Sequence, residues 1–407
     1  MKIGFFTSIE GWGGSETYLL SLMKGVRDAG HIPVLFGIQG TRLYNEARND
    51  GIECVAWKCM GNGLDGGARK DVDATGQLKS GSDTMTGRGK QAAKQRIWSC
   101  LPQWVKLLSG NIREITNLRK IFKRYPVDIM HVSSSGYEVA GIACWVFHIP
   151  SVVMNMITPP YESYWFRRWL MKFTLRAYDH VSSQSSACTR EWMRFAGLGA
   201  ERCSYVWNGV DLSRFGDMAP TARQASDPFM LISVGRLHPM KGYDYLIEAL
   251  GKLKDKRLSL ILIGSGAEET HLKRLAIEWG VSEQIDFRGH VEDPETYLRM
   301  SHCFVLPSVS HESCPAVVPE AMACGLPVIT SDFGPLPEIN INGETGIVVP
   351  CRSADGLASA ICRIADSPQV GEEYGGAGRR RAQEQFSRQR MISEMMRLYQ
   401  RVIAGTF

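Results

Sequence analysis

Two doubly wound α/β domains, each built on a parallel sheet, are what this sequence predicts. Three observations lead there. Short apolar runs alternate with longer amphipathic segments, the rhythm of repeated βα units. The rhythm breaks at a polar stretch, Phe215–Pro228, and then restarts. The 407 residues also exceed the roughly 250–300 that a single core serves.

The elements follow in order. The first strand is 2–6; its apolar run is too short for a secretion signal. Further strands fit 31–37, 52–55, 128–132, 151–154, 179–182 and 203–206. Helices fit between them at about 15–29, 103–124, 136–147, 162–178 and 185–196, and Gly30 suits the position that closes the first. Gly61–Lys94 is rich in Gly, Ser, Thr, Asp and Lys and nearly lacks large apolar residues, so it reads as a flexible insertion. After the break come strand 229–234, helix 243–254, strand 258–263, helix 267–279, strands 284–288 and 303–306, helix 315–324 and strand 327–330. The expected domains are 1–215 and 216–387.

Composition narrows the classes. A net charge of +5 suits an anionic substrate or an anionic membrane surface without singling out either. The 11 cysteines are odd in number and form no CxxC pair, and with the 9 histidines they show no metal-ligand spacing. That implies reduced thiols, a cytosolic compartment and no structural zinc. The most apolar stretch, Val139–Met154, contains His148 and Pro150 and is too short to span a bilayer. A soluble or peripheral protein is expected, with no nucleic-acid partner.

Two segments carry chemistry. In Ser233-Val234-Gly235-Arg236-Leu237, followed by Lys241-Gly242, a buried strand ends at a glycine and two cations stand on the loop before a helix. Ligands of open α/β sheets bind outside the carboxyl ends of strands, and two cations there suit a diphosphate. Solvated surface cations are the plain alternative. The second segment is His311-Glu312-Ser313-Cys314-Pro315-Ala316, continuing to Glu320 and Gly325. Ser313 reads as an N-cap and Pro315 as the first turn of a helix that Gly325 closes. Its free N–H groups would favour a phosphate. Glu312 would then precede the helix, within reach of sugar hydroxyls. Glu320 would lie about two turns along, among apolar neighbours where a carboxylate needs a partner. An exposed Glu beside a cap and a helical Glu facing solvent are the plain alternatives.

In this order the segments resemble glycosyltransferase family 4, which has the GT-B fold of two Rossmann-like domains facing across a cleft. Gly13-Gly14-Ser15-Glu16 resembles its N-terminal glycine loop, and Asn208-Gly209-Val210-Asp211 with Phe215 its interdomain segment. Arg236 and Lys241 resemble its phosphate-binding pair, and Ile263-Gly264-Ser265-Gly266 its glycine turn. Glu312 and Glu320 resemble its E-x7-E motif, and Asn342–Gly346 its late glycine turn. The resemblance implies a retaining transferase moving a sugar from a nucleotide-sugar donor to a hydroxyl of a glycan or lipid-linked acceptor. It implies that Arg236 and Lys241 hold the diphosphate, Glu320 the ribose and Glu312 the transferred sugar. Backbone around Arg288-Gly289-His290 would meet the base, and Gly13 and Gly14 would let their loop approach the phosphates. No divalent metal or other cofactor is implied. A last helix, about 388–407, is implied to dock back on the first domain.

Two departures stand out. The family usually has a histidine where, by spacing from Pro150, this chain has Met156. Asn155 offers a polar contact there but no proton shuttle. His131, ending its strand, is either a catalytic group facing the same cleft or a structural histidine. Pro335 stands in Phe333–Glu338 where the family often has two glycines, and it removes one N–H donor. Donor binding without transfer, or a nucleotide-sugar epimerase of the same fold, are the competing functions. Tyr164–Leu170 and Lys106–Arg124 are basic and amphipathic, suited either to an anionic membrane or to packing on the first sheet.

Overall fold

The computed structural model of the chain describes residues 1–8, 13–57, 103–133, 137–155, 165–216, 228–255 and 257–406. Seven strands form the first sheet: β1 (Lys2–Phe6), β2 (Ile32–Gly37), β3 (Glu53–Ala56), β4 (Ile129–Ser133), β5 (Ser151–Asn155), β6 (His180–Ser183) and β7 (Cys203–Tyr205). All pairings are parallel, in the order β3-β2-β1-β4-β5-β6-β7. Helices α1 (Gly14–Asp28) and α2 (Arg42–Asn49) cover one face. The other face carries α3 (Gln103–Arg124), α4 (Tyr137–Val146), α5 (Trp165–Ala177) and α6 (Ser186–Ala196).

A short α7 (Leu212–Phe215) leads to six more strands: β8 (Phe229–Val234), β9 (Leu258–Ile263), β10 (Ile285–Gly289), β11 (Cys303–Leu306), β12 (Val328–Ser331) and β13 (Gly346–Val349). They pair in parallel as β10-β9-β8-β11-β12-β13. Runs such as Leu258–Ile263 and Cys303–Leu306 are apolar almost throughout because both faces of a parallel sheet are covered. One face carries α8 (Tyr243–Leu253), α9 (Glu269–Glu278) and α13 (Ala354–Ala365). The other carries α10 (Pro294–Met300), α11 (Val317–Ala323), α12 (Leu336–Ile339) and α14 (Pro368–Gln385).

Both strand orders are doubly wound, and each reverses once, between β1 and β4 and between β8 and β11. Loops after those strands flank the crevice where such sheets bind ligands. The last helix, α15 (Arg388–Ala404), leaves the second sheet and packs on α1. Met391, Met395, Leu398 and Tyr399 join Ile3, Leu19 and Met23 in one core. The approach is close: a Cβ on Gly25 would lie 2.0 Å from Ile392 Cδ1. The two chain crossings between the sheets are themselves paired. Val210 N–H donates to Phe386 O at 2.7 Å, and Arg388 N–H to Val210 O at 3.0 Å.

Differences from the sequence expectation are local. The helix expected at 315–324 begins at Val317. Helices α2, α7, α10, α12, α13 and α14 and strand β13 form where the sequence reading assigns no element. The expected insertion, Gly61–Lys94, lies outside the described residues.

Candidate functional site at the switch point of the second sheet

The neighbouring strands β8, β9 and β10 end together at Gly235, Gly264 and Gly289. Gly264 has φ of 144°, and a Cβ on it would lie 1.8 Å from Gly235 O. Only glycine lets these turns meet. Gly264 N–H donates to Gly289 O at 2.8 Å. Beyond Gly235, Arg236 is exposed, and its guanidinium lies 3.9 Å from Met240 Sδ. Among the described residues no carboxylate pairs with it. Pro239–Lys241 form a 3-10 turn, in which Met240 O accepts from Val309 N–H at 2.8 Å. The loops after β8 and β11, the two strands at the reversal, are thereby tied.

That tie brings Lys241 to Glu312. Lys241 Nζ lies 2.5 Å from Glu312 Oε1, with the two side chains only 11% and 6% exposed. Ser308 Oγ donates to the same oxygen at 2.6 Å. Two opposite charges held out of water stabilise one another only in such close geometry. Glu320 sits in the first turn of α11, not two turns along as expected. Desolvation raises its pKa from 4.5 to about 7, with Arg214 opposing the shift and Glu295 adding to it. Arg214 itself grips Glu295 through contacts of 2.7 and 2.8 Å.

Ser313 is not the expected cap. Its Oγ donates to Gln184 Oε1 of the first domain at 3.2 Å, and no side chain caps α11. The physical reason is that 312–314 are engaged across the cleft. Asn208 Nδ2 donates to Cys314 O at 2.9 Å, and the Cys188 thiol lies 3.7 Å from the carbonyl oxygens of Glu312 and Ser313. The helix starts at Val317, and Val318 N–H donates to Pro315 O at 3.1 Å.

These groups share one cavity of about 610 Å³ between the sheets, lined by Arg236, Lys241, Glu312, the Ser313–Ala316 run, Glu320 and, from the other side, Gly14. Among the described residues, a Cβ on Gly14 would meet nothing within 4 Å. Gly13, Gly264 and Gly289 stand near the cavity but do not line it. Gly264 and Gly289 shape the sheet edge. The Arg288 guanidinium is held by Asp286 at 2.6 Å.

Several cleft residues had no role assigned from sequence: Arg214, Gln184, Arg388 and Ser308. Asn208 was recognised only as part of a motif. Another is Glu338, which ties the domains together. It accepts from Ser186 N–H at 3.0 Å and Ser186 Oγ at 2.6 Å, and pairs with Arg190 at 3.0 Å. Only a fold that brings residues about 150 apart together reveals such contacts.

His131 is a correction. It does not face the cleft; it is fully buried in the first sheet, between Phe5 and Val152 in register. Its Nδ1 meets Tyr399 Oη at 2.8 Å, and burial pushes its pKa down to about 3. The strand runs on to Ser133, so the carboxyl edge lies two residues beyond this histidine. Its side chain lies instead against α15. Met156 lies outside the described residues.

With the geometry in place, the kinship is specific. The family model for glycosyl transferases group 1 matches residues 219–381, and that for glycosyltransferase family 4 matches residues 82–214. Glycogen synthase of Mycobacterium tuberculosis is 30% identical over 235 residues, 57% of this chain and 55% of that protein. D-inositol 3-phosphate glycosyltransferase 2 of Catenulispora acidiphila is 31% identical over 217 residues, covering 49% and 51%. The matched stretch thus spans about half the length of these curated relatives. Anabaena Alr3699/HepE, solved in complex with UDP, superposes with a TM-score of 0.75 over 98% of this chain and 100% of that one, at 17% identity. Adjoining matches to two glycosyltransferase models, on two doubly wound parallel sheets, lead to one conclusion: the chain belongs to the family 4-like glycosyltransferases of the GT-B fold.

Proposed function

We propose that the chain moves a sugar from a nucleotide-sugar donor to a hydroxyl of a glycan or glycolipid acceptor, with retention of anomeric configuration and without a metal ion. The observation that carries this is the meeting, on one cavity at the second sheet's reversal, of Arg236, the Lys241–Glu312 pair and Glu320. Anabaena HepE, of this fold, has been solved in complex with UDP and with UDP-glucose, which supports a nucleotide sugar here. A cytoplasmic setting, peripheral to a membrane, goes with this reading.

Arg236, exposed on the cavity, and Lys241 take the donor diphosphate. In the free protein Lys241 is neutralised by Glu312; diphosphate oxygens compete for its ammonium and leave Glu312 available to sugar hydroxyls. When the bond from the anomeric carbon to the diphosphate oxygen breaks, charge grows on that oxygen beside the two cations. Preorganised charge there lowers the barrier without reorganisation cost. The acceptor oxygen forms the new bond on the same face, and its proton passes to the departing diphosphate. Glu320, ionised, accepts from ribose hydroxyls.

The test is product analysis. Incubation with uridine, guanosine and adenosine diphosphate sugars and a glycan panel should release nucleoside diphosphate only with an acceptor, with the donor's anomeric configuration in the product. An inverted product contradicts retention. Activity abolished by chelator and restored by a divalent metal contradicts metal independence. Donor binding with no transfer to any acceptor favours a binding protein, and an epimerised free sugar favours an epimerase.

A further inference from the structure

The α3–α5 face of the first domain carries a feature unrelated to donor chemistry. On α5, Trp165, Trp169 and Phe173 recur every fourth residue, so they form one stripe about 12 Å long. They are 78%, 55% and 48% exposed. Trp169 and Phe173 stack, with planes 12° apart. The adjoining α4 ends in Trp145, 59% exposed, and the exposed Val146. Four large aromatic side chains open to solvent on two packed helices form the kind of apolar patch that marks a contact surface.

Charge says what the contact is. Arg168, Lys172 and Arg176 run beside the aromatic stripe, and α5 contains no Asp or Glu. Helix α3, which packs on the other flank of α4, exposes Arg119, Lys120, Lys123 and Arg124, while its acid, Glu114, is buried. Tryptophans flanked by basic residues, on a helix lying flat over a domain, match a lipid headgroup layer: rings enter the interface and cations meet anionic headgroups. Among the described residues no helix is long and apolar enough to cross a membrane, so this contact is superficial. Because α5 begins beyond the carboxyl end of β5, Trp165 stands toward the edge of the sheet that borders the cleft.

We propose that the α3–α5 face docks the chain on an anionic bilayer. This goes beyond the transferase reading and is measured without donor. The full chain is co-sedimented with vesicles of phosphatidylcholine alone and of phosphatidylcholine mixed with phosphatidylglycerol. Binding is expected to the anionic vesicles and to weaken steeply with salt. Trp165→Ser with Trp169→Ser should weaken it at least about tenfold, and each of Lys120→Gln and Lys123→Gln about fivefold. These side chains are exposed, and unchanged thermal unfolding and donor-dependent nucleotide release in solution would show the variants are folded. No binding, equal binding to neutral vesicles, or binding untouched by the substitutions overturns the proposal. Self-association of the native chain that the tryptophan pair abolishes would assign the face to a second copy, and also overturns it.

Discussion

The two sheets share a strand order, yet each handles a titratable residue near its reversal in its own way. On the second sheet, Lys241 and Glu312 stand on loops beyond β8 and β11, meet at 2.5 Å and open on a cavity. On the first, His131 stands inside β4 and is closed over by Tyr399 from the last helix. The lesson is positional. Past the strand end, a charged side chain faces the crevice; two residues earlier, it is part of the packing, and burial selects its neutral form.

Substitutions at the two positions should therefore have opposite consequences for activity. Lys241→Ala strands Glu312 with Ser308 alone, and should cost about 3 kcal/mol of stability and at least about 100-fold in transfer, measured by urea unfolding and nucleotide release. Replacing the pair together, Lys241→Met with Glu312→Leu, should regain much of the stability and none of the activity. By contrast, His131→Leu should cost about 1 kcal/mol for the lost Tyr399 bond and leave turnover unchanged. A large fall in turnover would move His131 back into the chemistry.

A smaller effect is expected at the tie between the domains. Glu338→Ala removes the acceptor of Ser186 N–H and Oγ and the partner of Arg190. Small-angle scattering should show a larger radius of gyration, and KM should rise several-fold more than kcat falls. Arg190→Ala, which leaves the Ser186 contacts in place, should do less. An unchanged radius in Glu338→Ala would show that the tie does not hold the cleft.

The most discriminating effect is on pH dependence. Glu320 has a folded pKa of about 7 against an ordinary 4.5. The folded chain therefore holds the extra proton between those values, and the stability contribution of this group falls as pH rises through the window. His131, near 3 against 6.5, does the reverse: the unfolded chain takes the proton, so stability falls as pH drops from about 6.5. Glu320→Gln should remove only the first slope and His131→Leu only the second, by thermal unfolding across pH. Nucleoside diphosphate binding that engages ribose should strengthen as Glu320 ionises above about pH 7.

What was legible in the sequence follows the same divide. Both parallel sheets could be read because buried strands such as Leu258–Ile263 are short apolar runs set between amphipathic helices. The cleft segments around Arg236 and Glu312 could be read because topology puts loops after neighbouring strands side by side. The start of α11 was misplaced because Ser313, a good local cap, is drawn to Gln184 across the cleft. His131 was misassigned because its partner, Tyr399, is 268 residues away and on a helix that returns from the other domain. Glu338 was missed for the same reason. Local pattern finds loops and strands; it does not show which distant element will close over them.

On the transferase reading a nucleotide diphosphate binds at the second sheet's reversal, on Arg236 and Lys241. The most direct test of that binding is thermal unfolding with saturating uridine, guanosine or adenosine diphosphate, on the native chain and on Arg236→Ala with Lys241→Ala. Ligand at about 100 times its Kd should add about 2.7 kcal/mol to the native chain, and nearly nothing to the variant. If no diphosphate stabilises the native chain, or if the variant is stabilised as much, the site is elsewhere.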